Sequence, residues 1–362
     1  MSIPFVDLKA QYETIKVGIE SAIASAIENT SFIGGEAVRD FERGFAGFCG
    51  LAHCVGMANG TDALEIALKA LGIGKGDEVI VPALTWISTA GAVNNVGAEP
   101  VFVDVLEEER TIDPKQIEGK ITNRTRAIIP VHLYGLPARM DEVMLLANQY
   151  NLKVIEDAAQ AHGATYQGQK VGTFGDVITF SFYPGKNLGA YGDAGAVLTN
   201  NSELAEKCRM LSNHGQLQKH HHQIIGRNSR LDTIQASILN AKLPYLNEWI
   251  RGRQQVARWY DESLDRVVKP IVPGASNHVF HLYVIQTSNR ESLINALKAA
   301  DIGHSIHYPT PLPFVDCYSY KNHQPGEFQN AEKLCSEILS LPIFPELARE
   351  RVQFVCDVVN KS

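Results

Sequence analysis

The feature that most constrains this chain is a series of short apolar runs that are continuous rather than alternating. They are E-V-I-V-P (78–82), P-V-F-V-D-V (100–105), R-A-I-I-P-V-H-L (126–133), L-K-V-I-E (152–156), D-V-I-T-F-S-F (176–182) and G-A-V-L-T (195–199). Side chains alternate between the two faces of a strand, so a run that is apolar throughout has both faces covered. Helical spacing fills the gaps. In residues 58–72, Leu64, Ala67, Leu68 and Leu71 recur on one face, and Gly72 marks the end. Residues 87–96 and 141–150 have the same character. Strands and helices taking turns specify an α/β fold with a mainly parallel sheet.

The pattern changes after residue 200. Ser202 is expected to cap a helix carrying Leu204, Cys208 and Leu211. A helical pattern then runs from Leu231 to about Leu264, with Pro244 expected to kink it. Beyond it a strand (279–287), a helix (291–300) and the stiff loop Y-P-T-P-L-P (308–313) indicate a smaller α+β unit. The expected division is a large domain over 1–245, including an amino-terminal arm, and a small carboxyl-terminal domain over 246–362.

Bulk properties narrow the function. A net charge of −7 gives no general attraction to nucleic acid or to an anionic membrane. No apolar run approaches the roughly 20 residues that span a bilayer, and the first residues, M-S-I-P-F-V-D-L-K-A, do not resemble a signal peptide. The six cysteines form no C-x-x-C pair and read as reduced thiols. A cytoplasmic protein is expected. The glycines at 34–35 and 72–76 lack the dinucleotide fingerprint. His220-His221-His222 does not suggest a metal site, because consecutive side chains diverge and no ligand-spaced cluster flanks them.

Chemistry concentrates between Val154 and Gly195. One strand delivers Asp157 and the next leads to Lys186. In open α/β sheets ligands bind at the carboxyl edge of the strands. A lysine among apolar neighbours loses its proton easily and can form an imine with an aldehyde. A carboxylate can pair with a pyridinium nitrogen. Gly60 and Thr61 open a helix whose free N–H groups suit an anion, although Thr61 and Asp62 could equally be plain caps. Trp86 could stack on a ring or pack in the core. With Ser181 these are the parts that hold a phosphorylated pyridine aldehyde.

Longer motifs carry a family resemblance: A-N-G-T-D-A-L, P-A-L-T-W, E-D-A-A-Q-A-H-G-A, F-S-F-Y-P-G-K-N-L-G-A-Y-G-D-A-G-A, N-S-R-L-D-T-I-Q-A and H-Y-P-T-P-L, spanning 58–312. The chain resembles the DegT/StrS-type sugar aminotransferases, pyridoxal 5′-phosphate enzymes of fold type I with a seven-stranded-type sheet. The resemblance implies that Lys186 forms the Schiff base, Asp157 pairs with the pyridine nitrogen and Gln160 contacts the ring hydroxyl. It implies that Gly60, Thr61 and Ser181 bind the phosphate and that Trp86 covers the ring. Asn228 would reach the phosphate of a neighbouring subunit, which implies a homodimer with shared active sites. Arg230, His307 and Tyr308 would lie near the sugar. Many relatives read P-L-H where this chain has Pro311-Leu312-Pro313. The implied reaction moves an amino group from L-glutamate to a nucleotide-linked keto sugar, with a dTDP-3-keto-6-deoxyhexose favoured. A UDP-linked 3-keto sugar, a 4-keto sugar and a catalytically silent regulatory protein are the alternatives.

Overall fold

The computed structural model describes residues 2–362. Seven strands form the central sheet: β1 (His53–Met57), β2 (Glu78–Pro82), β3 (Glu99–Val103), β4 (Thr125–Ile128), β5 (Lys153–Asp157), β6 (Val177–Ser181) and β7 (Gly195–Thr199). Their spatial order is β1-β7-β6-β5-β4-β2-β3. β7 runs antiparallel to both its neighbours, and all other pairings are parallel. The apolar runs thus become a mainly parallel sheet. β1 was not expected: its sequence, H-C-V-G-M, is too short and mixed to stand out. The antiparallel direction of β7 is equally invisible in a run of apolar residues.

The continuous runs are continuous because both faces are buried. Val79 and Val81 of β2 join one core, with Ile155 of β5 and Val177 of β6. Ile80 and Val154, one residue away, join a core on the opposite face, and Ile178 joins a third there. The helices are numbered from α1 (Leu8–Glu28), and the first face is covered by α3 (Gly60–Ala70) and α4 (Ser88–Asn95), through Leu64, Ala67, Leu68, Ala90 and Val93. The other is covered by α2 (Glu36–Cys49), through Phe41 and Phe45, and by the helix Met140–Gln149, through Met140, Val143 and Ala147. Burying each such large side chain contributes roughly 1.5–3 kcal/mol.

Three sequence expectations are corrected locally. The helical pattern from Leu231 to Leu264 is two helices, Thr233–Lys242 and Leu246–Ser263, joined by a 3-10 turn at Leu243–Tyr245. Pro244 lacks an N–H, so the chain tightens there rather than merely bending. The cap of α3 is Asn59, whose side chain accepts from the Asp62 N–H; Thr61 and Asp62 lie inside the first turn. Asn201, not Ser202, caps the helix Ser202–Ser212.

After residue 246 a separate core forms around Val256, Tyr260, Leu293, Leu297, Leu341, Val352 and Val355, against an antiparallel pair, Tyr283–Gln286 with Ile338–Leu341. Ile3 joins this core, and its N–H donates to Asp301 at 3.0 Å. Among the described residues no helix is long and apolar enough to cross a membrane.

Candidate active site

The register of three strands starts the site. Met57, Gly195 and Ser181 are paired in one row across β1, β7 and β6. The chain leaving β1 therefore enters α3 directly above Ser181. Gly60 is needed there, because a Cβ would meet the Ser181 Cβ at 2.7 Å. Gly195 is needed for the same reason on the other side, since a Cβ would collide with the Asn59 carbonyl and approach the Gly60 nitrogen to 2.8 Å. This close approach brings a helix amino terminus, with its free N–H groups, to the sheet edge.

The same edge carries a cavity of about 740 Å³. Its walls come from the carboxyl ends of β1 (Asn59, Gly60, Thr61), β2 (Thr85, Trp86), β4 (Val131), β5 (Asp157, Gln160) and β6 (Ser181, Lys186). Because β7 is antiparallel, its start brings Asp193 to this edge too. Tyr308 enters from the carboxyl-terminal part.

Asp157 is buried at the floor. Its carboxylate accepts from the Thr89 hydroxyl at 2.9 Å and from the Ala159 N–H at 3.2 Å. Thr89 lies 3.1 Å from the Thr85 hydroxyl, which must donate to it, since the Thr89 proton is committed to Asp157. Burial pushes the Asp157 carboxyl above its usual range, against the Ala159 and Thr89 hydrogen bonds and the charge of Lys186. Lys186 follows β6 in a loop; the surface it exposes faces the cavity rather than open solvent. Burial pushes its ammonium down to about 8, and Asp157 opposes the shift. The amine is thus poised near neutrality and close to a buried acid.

Gln160 is fixed at both ends. Its side-chain oxygen accepts from the Tyr134 N–H at 2.7 Å, and its amide donates to the Tyr308 hydroxyl at 3.1 Å. The Tyr308 ring lies tilted against Trp86, 5.6 Å between centroids. Trp86 is 55% exposed, which removes core packing as its role and leaves its face open to the cavity. Thr61 donates to the Ser88 hydroxyl at 2.8 Å.

Of the residues singled out from sequence, Gly60, Thr61, Trp86, Asp157, Gln160, Ser181, Lys186 and Tyr308 converge on this cavity. Asn228, Arg230 and His307 are not in its lining. Asn228 is exposed, next to a protruding loop over 214–227. Arg230 is half-buried, and its Nε finds no partner. His307 is half-buried, 2.8 Å from the Ser340 hydroxyl, and burial pushes its pKa down to about 4. Sequence reasoning missed Asn59, Ser88, Thr89, Tyr134 and Asp193. The hydroxyls in T-W-I-S-T (85–89) were the available signal, since polar residues at a strand end face the site. His220, His221 and His222 are exposed. Among the described residues no group of three or more His, Cys, Asp or Glu is placed to hold a metal ion.

An amine with a lowered pKa, a buried acid and a helix amino terminus around one cavity fit pyridoxal phosphate. The sheet order and this site define a pyridoxal phosphate-dependent aminotransferase of fold type I. The DegT/DnrJ/EryC1/StrS aminotransferase family model matches residues 13–360, and the chain belongs to that family. It is 47% identical to a UDP-N-acetyl-3-dehydro-α-D-glucosamine 3-aminotransferase of Acidithiobacillus ferrooxidans, over 100% of this chain and 98% of that one. It is 45% identical to a dTDP-3-amino-3,6-dideoxy-α-D-galactopyranose transaminase of Aneurinibacillus thermoaerophilus, over 99% of each. The crystal structure of S. venezuelae DesV in complex with a ketimine intermediate superposes with a TM-score of 0.97 at 43% identity, covering 99% of this chain and 98% of that one.

Proposed function

We propose that this chain transfers an amino group from L-glutamate to carbon 3 of a nucleotide-linked keto sugar, and that the sugar is a dTDP-3-keto-6-deoxyhexose. The observation that carries the chemistry is the convergence of Lys186, Asp157 and the α3 amino terminus on one cavity. When bound, the cofactor supplies an aldehyde that forms imines with amines and a ring that accepts electrons. Lys186 Nζ, with its pKa near 8, is the base that moves a proton between the substrate carbon and the cofactor carbon. Asp157 holds the ring nitrogen protonated, and Thr89 and Ala159 fix the carboxylate for that contact. The α3 terminus at Gly60 and Thr61, with Ser181, takes the phosphate. Gln160 contacts the ring hydroxyl, and Trp86 covers the ring. Arg230, His307 and Tyr308 face the sugar. The cofactor belongs to the large domain, 1–245, which supplies every lining residue except Tyr308.

The working unit is a homodimer in which Asn228 completes the neighbouring site. Two features support this: Asn228 is exposed and outside its own cavity lining, and the loop before it presents Ile225 at 96% exposure. Burying such an apolar tip against a partner is favourable. The compartment is the cytoplasm; all six cysteines are unpaired, as thiols are where the medium is reducing.

A UDP-linked 3-keto sugar is the alternative substrate, favoured by the 47% identity to the Acidithiobacillus enzyme. The test is spectroscopic. Purified protein with added pyridoxal phosphate should develop a visible band that L-glutamate bleaches, and a dTDP-linked 3-keto-6-deoxyhexose should restore it. Restoration only by a UDP-linked 3-keto sugar would shift the assignment to that substrate. A band that glutamate leaves unchanged would overturn the proposed donor, and no band would overturn the enzyme.

A further inference from the structure

The α3 amino terminus contains a contradiction. It is the proposed phosphate cup, yet its first turn carries Asp62, and Glu65 follows one turn on. Both are buried, 7% and 6% exposed, and Asp62 lines the cavity itself. Two carboxylates at this position oppose a phosphate and outweigh the roughly +0.5 charge of a helix terminus. Arg227 resolves it. Its guanidinium pairs with Asp62 at 2.8 Å and with Glu65 through its other nitrogen. Among the described residues no other cation lies within ion-pair distance of either carboxylate. Glu65 also accepts from Asn95 at 2.7 Å, which holds it but adds no charge.

The Arg227 backbone is fixed in turn. Its N–H donates to Leu211 at 2.8 Å and its carbonyl accepts from His214 at 2.9 Å, closing the base of the loop that precedes Asn228.

We propose that Arg227 is a positioning residue for the cofactor phosphate: it neutralises Asp62 and Glu65 and so makes the α3 terminus an anion site. The proposal rests on the phosphate binding at that terminus. It acts through charge, since Arg227 is not in the cavity lining. Two buried charges facing a dianion several ångströms away, in a medium between water and protein interior, alter affinity by on the order of tenfold or more.

The test compares pyridoxal 5′-phosphate with pyridoxal, which lacks the phosphate, by absorbance titration of the protein stripped of cofactor. Wild type should bind the phosphorylated form much more tightly. Arg227→Met should weaken pyridoxal phosphate by about tenfold, equivalent to about 1.4 kcal/mol, and leave pyridoxal within about twofold. Arg227→Met combined with Asp62→Asn and Glu65→Gln should recover the lost affinity. Arg227→Lys, which keeps the charge and guards against a folding defect in the methionine variant, should retain the preference for phosphate. Equal weakening of both ligands, or no recovery in the triple variant, would show that Arg227 only holds the loop, and would overturn the proposal. A wild type that binds both ligands equally would instead overturn the phosphate site itself, and that is visible before any variant is made.

Discussion

Replacing Lys186 by methionine in the cofactor-free protein tests the burial argument quantitatively. Burial lowers the lysine from an ordinary 10.5 to about 8. At pH 7.5 an ordinary lysine is about 0.1% neutral amine, whereas one with a pKa of 8 is about 24% neutral, a gain of about 240-fold in the reactive form. The same shift is a stability statement. Between pH 8 and 10.5 the unfolded chain holds a proton that the folded chain has released, so stability rises with pH in that window. Evaluating the linkage for the two pKa values gives about 2 kcal/mol between pH 8 and pH 10. For a chain of 362 residues that corresponds to about 3 °C in Tm. Lys242, also pushed down to about 8 by burial, adds a similar rise, so the quantity to measure is wild type minus Lys186→Met. Chemical denaturation of both proteins from pH 7 to 10 supplies it, and the pH dependence of Lys186 modification by an amine reagent supplies the pKa directly. A flat difference, or a modification midpoint above pH 10, would refute the claim that the site desolvates this amine.

Asp157→Asn should abolish turnover yet stabilise the cofactor-free protein at pH 7. The folded pKa of Asp157 is raised by burial, so its ionisation costs stability once the pH exceeds the unfolded value, and the gain should shrink as denaturation is repeated towards pH 4. Gly195→Ala should cost about 1–3 kcal/mol and weaken pyridoxal phosphate more than pyridoxal, because the Cβ forces Asn59 and Gly60 away from the phosphate cup; equal affinities would place the phosphate elsewhere. Mixing Lys186→Ala and Asn228→Ala subunits should regenerate about a quarter of wild-type sites at low cofactor concentration, since each mixed dimer keeps one intact site. No recovery would remove the shared-site arrangement.

The parts of the site legible in the sequence are those delivered by strands. Asp157 and Ser181 end β5 and β6, and Lys186 follows β6 within a short loop; continuous apolar runs announce the strands, so their ends can be located. Gly60 was legible through the helix it opens. What could not be read depends on pairing between distant segments. That Gly195 must be glycine follows from the row it shares with Met57 and Ser181, and from α3 passing over it. The donation from Thr89 to Asp157 requires α4 to lie over the end of β5, and no local pattern specifies that. The caps were misplaced for a simpler reason. N-G-T-D and N-N-S both offer several capping side chains close together, and only the backbone angles choose Asn59 and Asn201.

The same distinction explains why the chemistry of this chain is easier to derive than its sugar. The floor of the cavity is closed and its polar groups are committed: Asp157 to Thr89 and Ala159, Gln160 to Tyr134 and Tyr308. A ring seated there meets groups whose directions are already fixed, which is what electrostatic preorganisation requires. The rim is different. Trp86 and Tyr183, both in the cavity lining, are 55% and 59% exposed. Apolar surface left open beside a polar cavity is surface that a second subunit or the distal part of a substrate covers. Selection among nucleotide sugars is therefore assigned to the rim, and substitutions there should change KM for the sugar while leaving the half-reaction with the amino donor intact.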